Sequence, residues 1–235
     1  MSPKDLIHLA SDDGLTIPPE GTGEAPLVLE NVAPHERVQT QTPPAPQEAA
    51  CLALMGAAGG VGVTSLAVEI AYNLARETQT KTAKNIRATE PLVCLIDLDF
   101  ENGACAHHLD LPPSLAMKDL QGAPSRIDKA FTTALMSTHE SGLALLAAPN
   151  TLGGNDMVNP QTVVTLLDMA CKMYDFVVLD VPRFWRPWTM AAIGGANHFA
   201  LVTDTAIPSL HLARARLDAI KTALGEDVIC DVILN

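Results

Sequence analysis

Residues 56 to 65 read GAAGGVGVTS, with glycines at Gly56, Gly59, Gly60 and Gly62. That spacing suits a backbone that must wrap an anion. Glycine lets successive peptide N–H groups turn inward, and a helix starting where the loop ends aims its dipole at the same point. Thr64 comes directly after the loop, where a hydroxyl can reach a magnesium ion. The lysine that such loops turn on phosphate is absent, because Val63 stands between Gly62 and Thr64. A glycine-rich turn that binds nothing would read the same way, so the loop alone decides little. Two acidic segments add weight. LIDLDFENG places Asp97 and Asp99, and FVVLDVP places Asp180, at the ends of apolar runs. In an open parallel sheet, ligands bind beyond the carboxyl ends of the strands. Three strand ends then bring a phosphate cradle and three carboxylates to one rim. One carboxylate can hold magnesium through water and another can orient an attacking water.

The elements needed to position these groups are legible in the pattern. CLALMG (51–56), PLVCLIDLD (91–99), GLALLAAP (142–149), YDFVVLDVP (174–182), HFALVTD (198–204) and VICDVILN (228–235) are short apolar runs, as expected of strands buried on both faces. Helical spacing separates them. Leu66, Ile70 and Leu74 recur from Thr64 to about Glu77, with Ala67 and Ala71 as a small-residue face. A second helix is expected from Ser125, with Asp128 completing a capping box and Ile127, Phe131 and Leu135 as its stripe. Asn159 and Pro160 suit N-cap and first position of a third, carrying Val163, Leu166, Leu167 and Ala170. Leu210, Ala213, Leu217 and Ile220 mark a fourth. Such alternation predicts an α/β fold, a mostly parallel sheet with helices on both faces.

Composition bounds the rest. With 235 residues, 48% of them apolar and 18% charged, the chain can bury one full-sized core. Residues 1–48 differ: they hold PPAP and related Pro-rich stretches, and read as a flexible segment in which only LVLENV suggests an edge strand. The folded domain is expected over 49–235. It stops directly after an apolar strand, where one more helix is expected, so a truncated C-terminal end is the reading. No signal peptide or apolar span is evident, and the cytoplasm is the default. A net charge of −12 argues against DNA as a partner. The five cysteines form no C-x-x-C pair and read as reduced core thiols. Cys105, His107 and His108 could bind a metal, but no fourth ligand is evident.

GAAGGVGVTSLA, LVCLIDLDFENGACAHHLDL, SRIDKAF, HESGLALLAAP and YDFVVLDVPRFW together resemble the ParA/MinD superfamily of deviant-Walker P-loop proteins. Within it they are most similar to the CpaE/TadZ group of pilus-assembly proteins. The similarity runs over roughly residues 50–235. It implies ATP and Mg2+ as cofactors, an ATP-sandwich homodimer, and assembly of Flp-type (tight-adherence) pili with secretion-machinery proteins. The location it implies is the cell pole, on the inner face of the membrane, with membrane contact only through other pilus proteins. CpaE-like members often carry a receiver-like domain ahead of this one, and only the Pro-rich segment stands there. The resemblance assigns the nucleotide to Ala58, Gly59, Gly60, Val61, Gly62, Val63, Thr64 and Ser65, with Asn235 near the adenine. Thr64 and Asp180 take magnesium, and Asp97 and Asp99 match the switch I strand as catalytic candidates. The family loop reads K-G-G-x-G-K-T-[ST]. Ala58 replaces its signature lysine and Val63 its ordinary one.

A cation about 4 Å from a phosphate is worth on the order of 1 kcal/mol in water and about 4 at an effective dielectric of 20. Losing two leaves backbone amides, the dipole and magnesium, enough for weakened binding but poor charge stabilisation during phosphoryl transfer. Arg183 and Arg186 follow Asp180 and offer substitute cations, although solvent-exposed arginines are the simpler reading. RFWRPWT also groups Phe184, Trp185 and Trp188, which suggests an interface. The leading function is therefore a dimerising scaffold with weak or no hydrolysis. An active ATP-dependent dimer/monomer switch is the alternative. An amide-forming ligase would need a substrate pocket for which no residues stand out.

Overall fold

The computed structural model describes residues 49–82, 92–113, 115–225 and 228–235. The Pro-rich segment, LVLENV included, lies outside them. The described residues form a seven-stranded sheet flanked by helices. Strand β1 (Ala50–Gly56) runs into the glycine loop, and α1 (Val63–Thr82) leaves it. Then come β2 (Val93–Asp97), the short α2 (Cys105–His108) and α3 (Met117–Leu120), α4 (Lys129–Leu135), the two-residue β3 (Ser137–Thr138) and β4 (Leu143–Leu146). The second half holds α5 (Gly154–Met157), α6 (Pro160–Met173), β5 (Phe176–Val181), α7 (Pro187–Gly195), β6 (His198–Thr203), α8 (Ile207–Leu224) and β7 (Cys230–Leu234).

Strand order is β3-β4-β2-β5-β1-β6-β7. Every pairing is parallel except β3 with β4. The apolar runs have a direct cause. Alternate strand residues face opposite layers, and both layers are covered except at the edge strand β7, where Val232 and Leu234 are exposed against the expectation of a fully buried strand. Leu54, Leu95, Val178 and Val202 pack with Ala67 and Ala71 of α1 and with α2. Their neighbours Met55, Ile96, Leu179 and Leu201 pack with Val163 and Leu166 of α6, Trp188 and Ile193 of α7, and Ala213 and Ile220 of α8. The placement of β1, β5 and β2 side by side matters most for the site, because their carboxyl ends carry the loop, Asp180 and Asp97. Register sets Asp97 directly across from Asp180.

Several expectations shift. The helix expected from Ser125 starts at Lys129. Asp128 is its N-cap, not a capping-box partner, and accepts from the Phe131 amide at 2.7 Å. Ser125 sits in a 3-10 turn, Pro124–Arg126. Asn159 caps α6 as expected, accepting from the Gln161 amide. Leu210, expected on the buried stripe of α8, is 44% exposed. Helix α7 has no counterpart in the sequence reading.

Candidate functional site

The loop after β1 has the backbone its glycines predict. Gly60 and Gly62 adopt φ of +76° and +81°, a region open to glycine and strained for other residues. Leu66 then donates to the Gly62 carbonyl at 3.0 Å, which closes the first turn of α1. The amides of Val63, Thr64 and Ser65 lie in that turn, where a helix leaves its own N–H groups without internal acceptors. Asn235 comes to the same loop. Its Nδ2 donates to the Val61 carbonyl at 3.0 Å and occupies the space that a Cβ on Gly62 would need. Ala58 and Val63, in the lysine positions, are partly buried apolar side chains packed on the sheet.

Asp180 is buried at the end of β5, with the Thr64 hydroxyl close enough to favour its charged form. Burial raises its pKa, and bonds from Thr64 and Cys105 oppose that shift. Asp97 is buried beside it. Its Oδ1 accepts from the Asp99 amide and its Oδ2 from the Cys105 amide, both at 3.1 Å. Burial first, and the Asp180 charge second, push its pKa up to about 7. The Cys105 thiol donates to Asp180 at 3.6 Å, and burial and the two carboxylates raise its pKa well above the ordinary thiol value. One donor atom each from Asp97, Cys105 and Asp180 lies within 4.8 Å of the other two. Two buried carboxylates whose charge is penalised, next to a threonine hydroxyl, fit a hard divalent cation such as Mg2+. The thiol is too soft to be its ligand of choice.

Asp99 has a local task. Its Oδ1 accepts from the Glu101 and Asn102 amides at 3.2 and 3.0 Å and so shapes the turn after β2. Cys105, His107 and His108 do not converge: both histidines are exposed, and Cys105 turns instead to the two aspartates. Trp188 corrects the expected aromatic interface. It is 2% exposed, packs at a tilt with its ring centroid 5.2 Å from that of Phe100, and donates Nε1 to the Asn155 carbonyl. Phe184 and Trp185 stay at the surface, 36% and 37% exposed. Arg186 is committed to Asp156, whereas Arg183 stands over Gly59.

Three residues of this site, Asn155, Gly103 and Arg216, are not singled out by the sequence, and a fourth, Cys105, takes a different role from the one expected. Asn155 is buried and accepts from the Phe100 amide, tying the β2 loop to α7. Gly103 lets Asp97 approach, since a Cβ there would lie 2.6 Å from Asp97 Oδ2. Cys105 was read for a different cluster, and Arg216 reaches the loop from α8. Only Gly103 carried a signal, the Asn-Gly turn of LDFENG.

No protein-family model and no curated protein matches the sequence. Solved structures do. A ParA family ATPase from Chlorobium tepidum TLS is similar with a TM-score of 0.66 and 21% identity, over 80% of this chain and 74% of that one. The MinC:MinD cell division complex of Aquifex aeolicus is similar at 0.58 and 18%, over 80% and 68%. The septum site-determining protein MinD of Pyrococcus horikoshii OT3, complexed with Mg-ADP, is similar at 0.57 and 14%, over 77% and 67%. At such identities the likeness is one of architecture: the chain has the fold of the ParA/MinD-type P-loop ATPases.

Proposed function

We propose that this chain is a nucleotide-binding, dimerising scaffold that turns ATP over slowly or not at all, and that it serves in assembly and polar localisation of Flp-type pili. One observation carries the biochemical half. The loop keeps its glycine geometry and its Thr64–Asp180 pair, but Ala58 and Val63 occupy both lysine positions. Binding by oriented amides and Mg2+ survives such a loss, whereas transition-state charge stabilisation suffers most. The pilus half rests on the resemblance of residues 50–235 to the CpaE/TadZ group. A homodimer is the working form, with pilus and secretion proteins as its partners.

Calorimetry with Mg-ATP, paired with a phosphate-release assay, tests the first half. The expected result is saturable binding with turnover far below roughly 1 per second, the lower end for kinases. Tight binding with turnover at or above that rate rejects the scaffold in favour of an ATP-driven switch, the reading that the retained Asp97, Asp99 and Asp180 favour. Deletion in a piliated host tests the second half, with loss of surface pili expected. A deletion strain that stays fully piliated rejects it.

A further inference from the structure

Two positive charges reach the phosphate loop from different elements. Arg183 lies two residues beyond β5, and a Cβ on Gly59 would come within 2.9 Å of its Nη1. The bare Gly59 backbone is what makes room for the guanidinium. Arg216, on α8, donates Nε to the Ala57 carbonyl at the loop's start and Nη1 to the Arg183 carbonyl, both at 2.8 Å. It thus pins the backbone of Arg183 to the loop. Each arginine also lies against an aromatic ring: Arg183 is 5.3 Å from the Phe184 centroid, and Arg216 is 5.8 Å from that of Trp185. The segment between them is fixed, because the buried Thr189 hydroxyl bonds the Arg186 amide and the Phe184 carbonyl.

Among the described residues, no carboxylate pairs with either charge: the arginine ion pairs there are Arg186–Asp156 and Arg214–Asp218. Burial and the Arg183 charge both lower the pKa of Arg216, so the pair is held together against repulsion. In a chain of net charge −12, an arginine pair on a glycine loop with no carboxylate partner among the described residues is an arrangement that an anion completes.

We propose that Arg183, braced by Arg216, is the cation this site offers to the terminal phosphates of a nucleoside triphosphate, in place of the lysine that Val63 replaces. This rests on the nucleotide-binding reading above. Arg183 is exposed, so its fork can move from Gly59 onto a phosphate and bind it with two parallel hydrogen bonds. Arg216 is a positioning residue and acts through the backbone it pins.

The test is calorimetric titration of Mg-ATP into the full chain at several salt concentrations. The proteins compared are wild type, Arg183→Gln, Arg183→Ala, Arg183→Lys, Arg216→Gln and the double variant Arg183→Gln/Arg216→Gln, each checked by thermal melting. Arg183→Gln and Arg183→Ala are expected to melt like wild type, bind Mg-ATP roughly tenfold more weakly and show a shallower salt dependence. Arg183→Lys recovers part of the loss. Arg216→Gln loses less, and adds nothing once Arg183 is gone. If wild type binds Mg-ATP and both Arg183→Gln and Arg183→Ala bind it as tightly, with the same salt slope, this proposal is overturned and the nucleotide reading stands. A wild type that stays unbound at millimolar Mg-ATP overturns both.

Discussion

At the scale of single residues, the site stores an unfavourable charge that a cation relieves. Asp97 has an ordinary pKa near 3.8 when exposed, and burial beside Asp180 raises it to about 7 in the fold. A carboxyl with a raised folded pKa binds more protons folded than unfolded. Its contribution to stability is complete below about pH 4 and is lost as pH climbs through 7. Over that window the loss approaches on the order of 1.4 kcal/mol per pH unit, and the raised Asp180 acts in the same sense. Urea denaturation between pH 5 and 8 is therefore expected to show stability falling with pH. Asp97→Asn flattens that slope, and saturating Mg2+ flattens it in wild type. A wild-type profile already flat without Mg2+ would show that Asp97 ionises freely at neutral pH. The same pair predicts that Thr64→Val and Asp180→Asn remove the Mg2+-dependent part of ATP binding. Calorimetry with and without EDTA reads that directly.

At the scale of elements, what the sequence reveals depends on how far each interaction reaches along the chain. Parallel strands buried on both faces are runs of Val, Leu, Ile and Ala, so β1, β2, β4, β5 and β6 could be found by composition, whereas the equally apolar β7 is an edge strand with Val232 and Leu234 exposed. The glycine loop and Thr64 are local and could be read as one motif. The opposition of Asp97 and Asp180 followed from strand-end logic. Contacts closed over long stretches could not be read this way. The Arg216–Ala57 bond spans 159 residues and the Asn155–Phe100 bond 55, and nothing near Arg216 in ARARLDA distinguishes it from a surface arginine. Helix α7 was hidden because it is short, begins at a proline and shows no clear apolar stripe. The start of α4 was misplaced because Ser125 and Asp128 are both good caps, and Pro124 gives the earlier turn a 3-10 form. The burial of Trp188 in α7 has a stability consequence. It fills the space against Phe100 under the β2 loop, so Trp188→Ala is expected to cost about 3–5 kcal/mol. Chemical denaturation checks this, and a loss under about 1 kcal/mol would mean the ring is not a packing element.

At the scale of the whole molecule, the proposed homodimer raises the question of how an acidic chain would meet its own copy. Each protomer carries a net charge of −12, so the average field opposes self-association. Any dimer needs a surface that overcomes this locally. The rim beside the glycine loop offers a candidate for it: Phe184 and Trp185 are exposed there, next to Arg183 and Arg216. Aromatic and arginine side chains of this kind supply most of the energy in many interfaces. A nucleotide held at the loop would also neutralise the two arginines and join the surface. Salt then acts in opposite directions on two steps. It weakens phosphate binding by screening Arg183, and it strengthens protomer association by screening the net negative charge. Sedimentation velocity at saturating Mg-ATP is expected to show a monomer–dimer equilibrium that shifts toward dimer between low and moderate salt. Phe184→Ala/Trp185→Ala should weaken it roughly tenfold or more without lowering the melting temperature. A dimer that dissociates as salt rises would mean that opposite charges, not this aromatic rim, hold the two copies together.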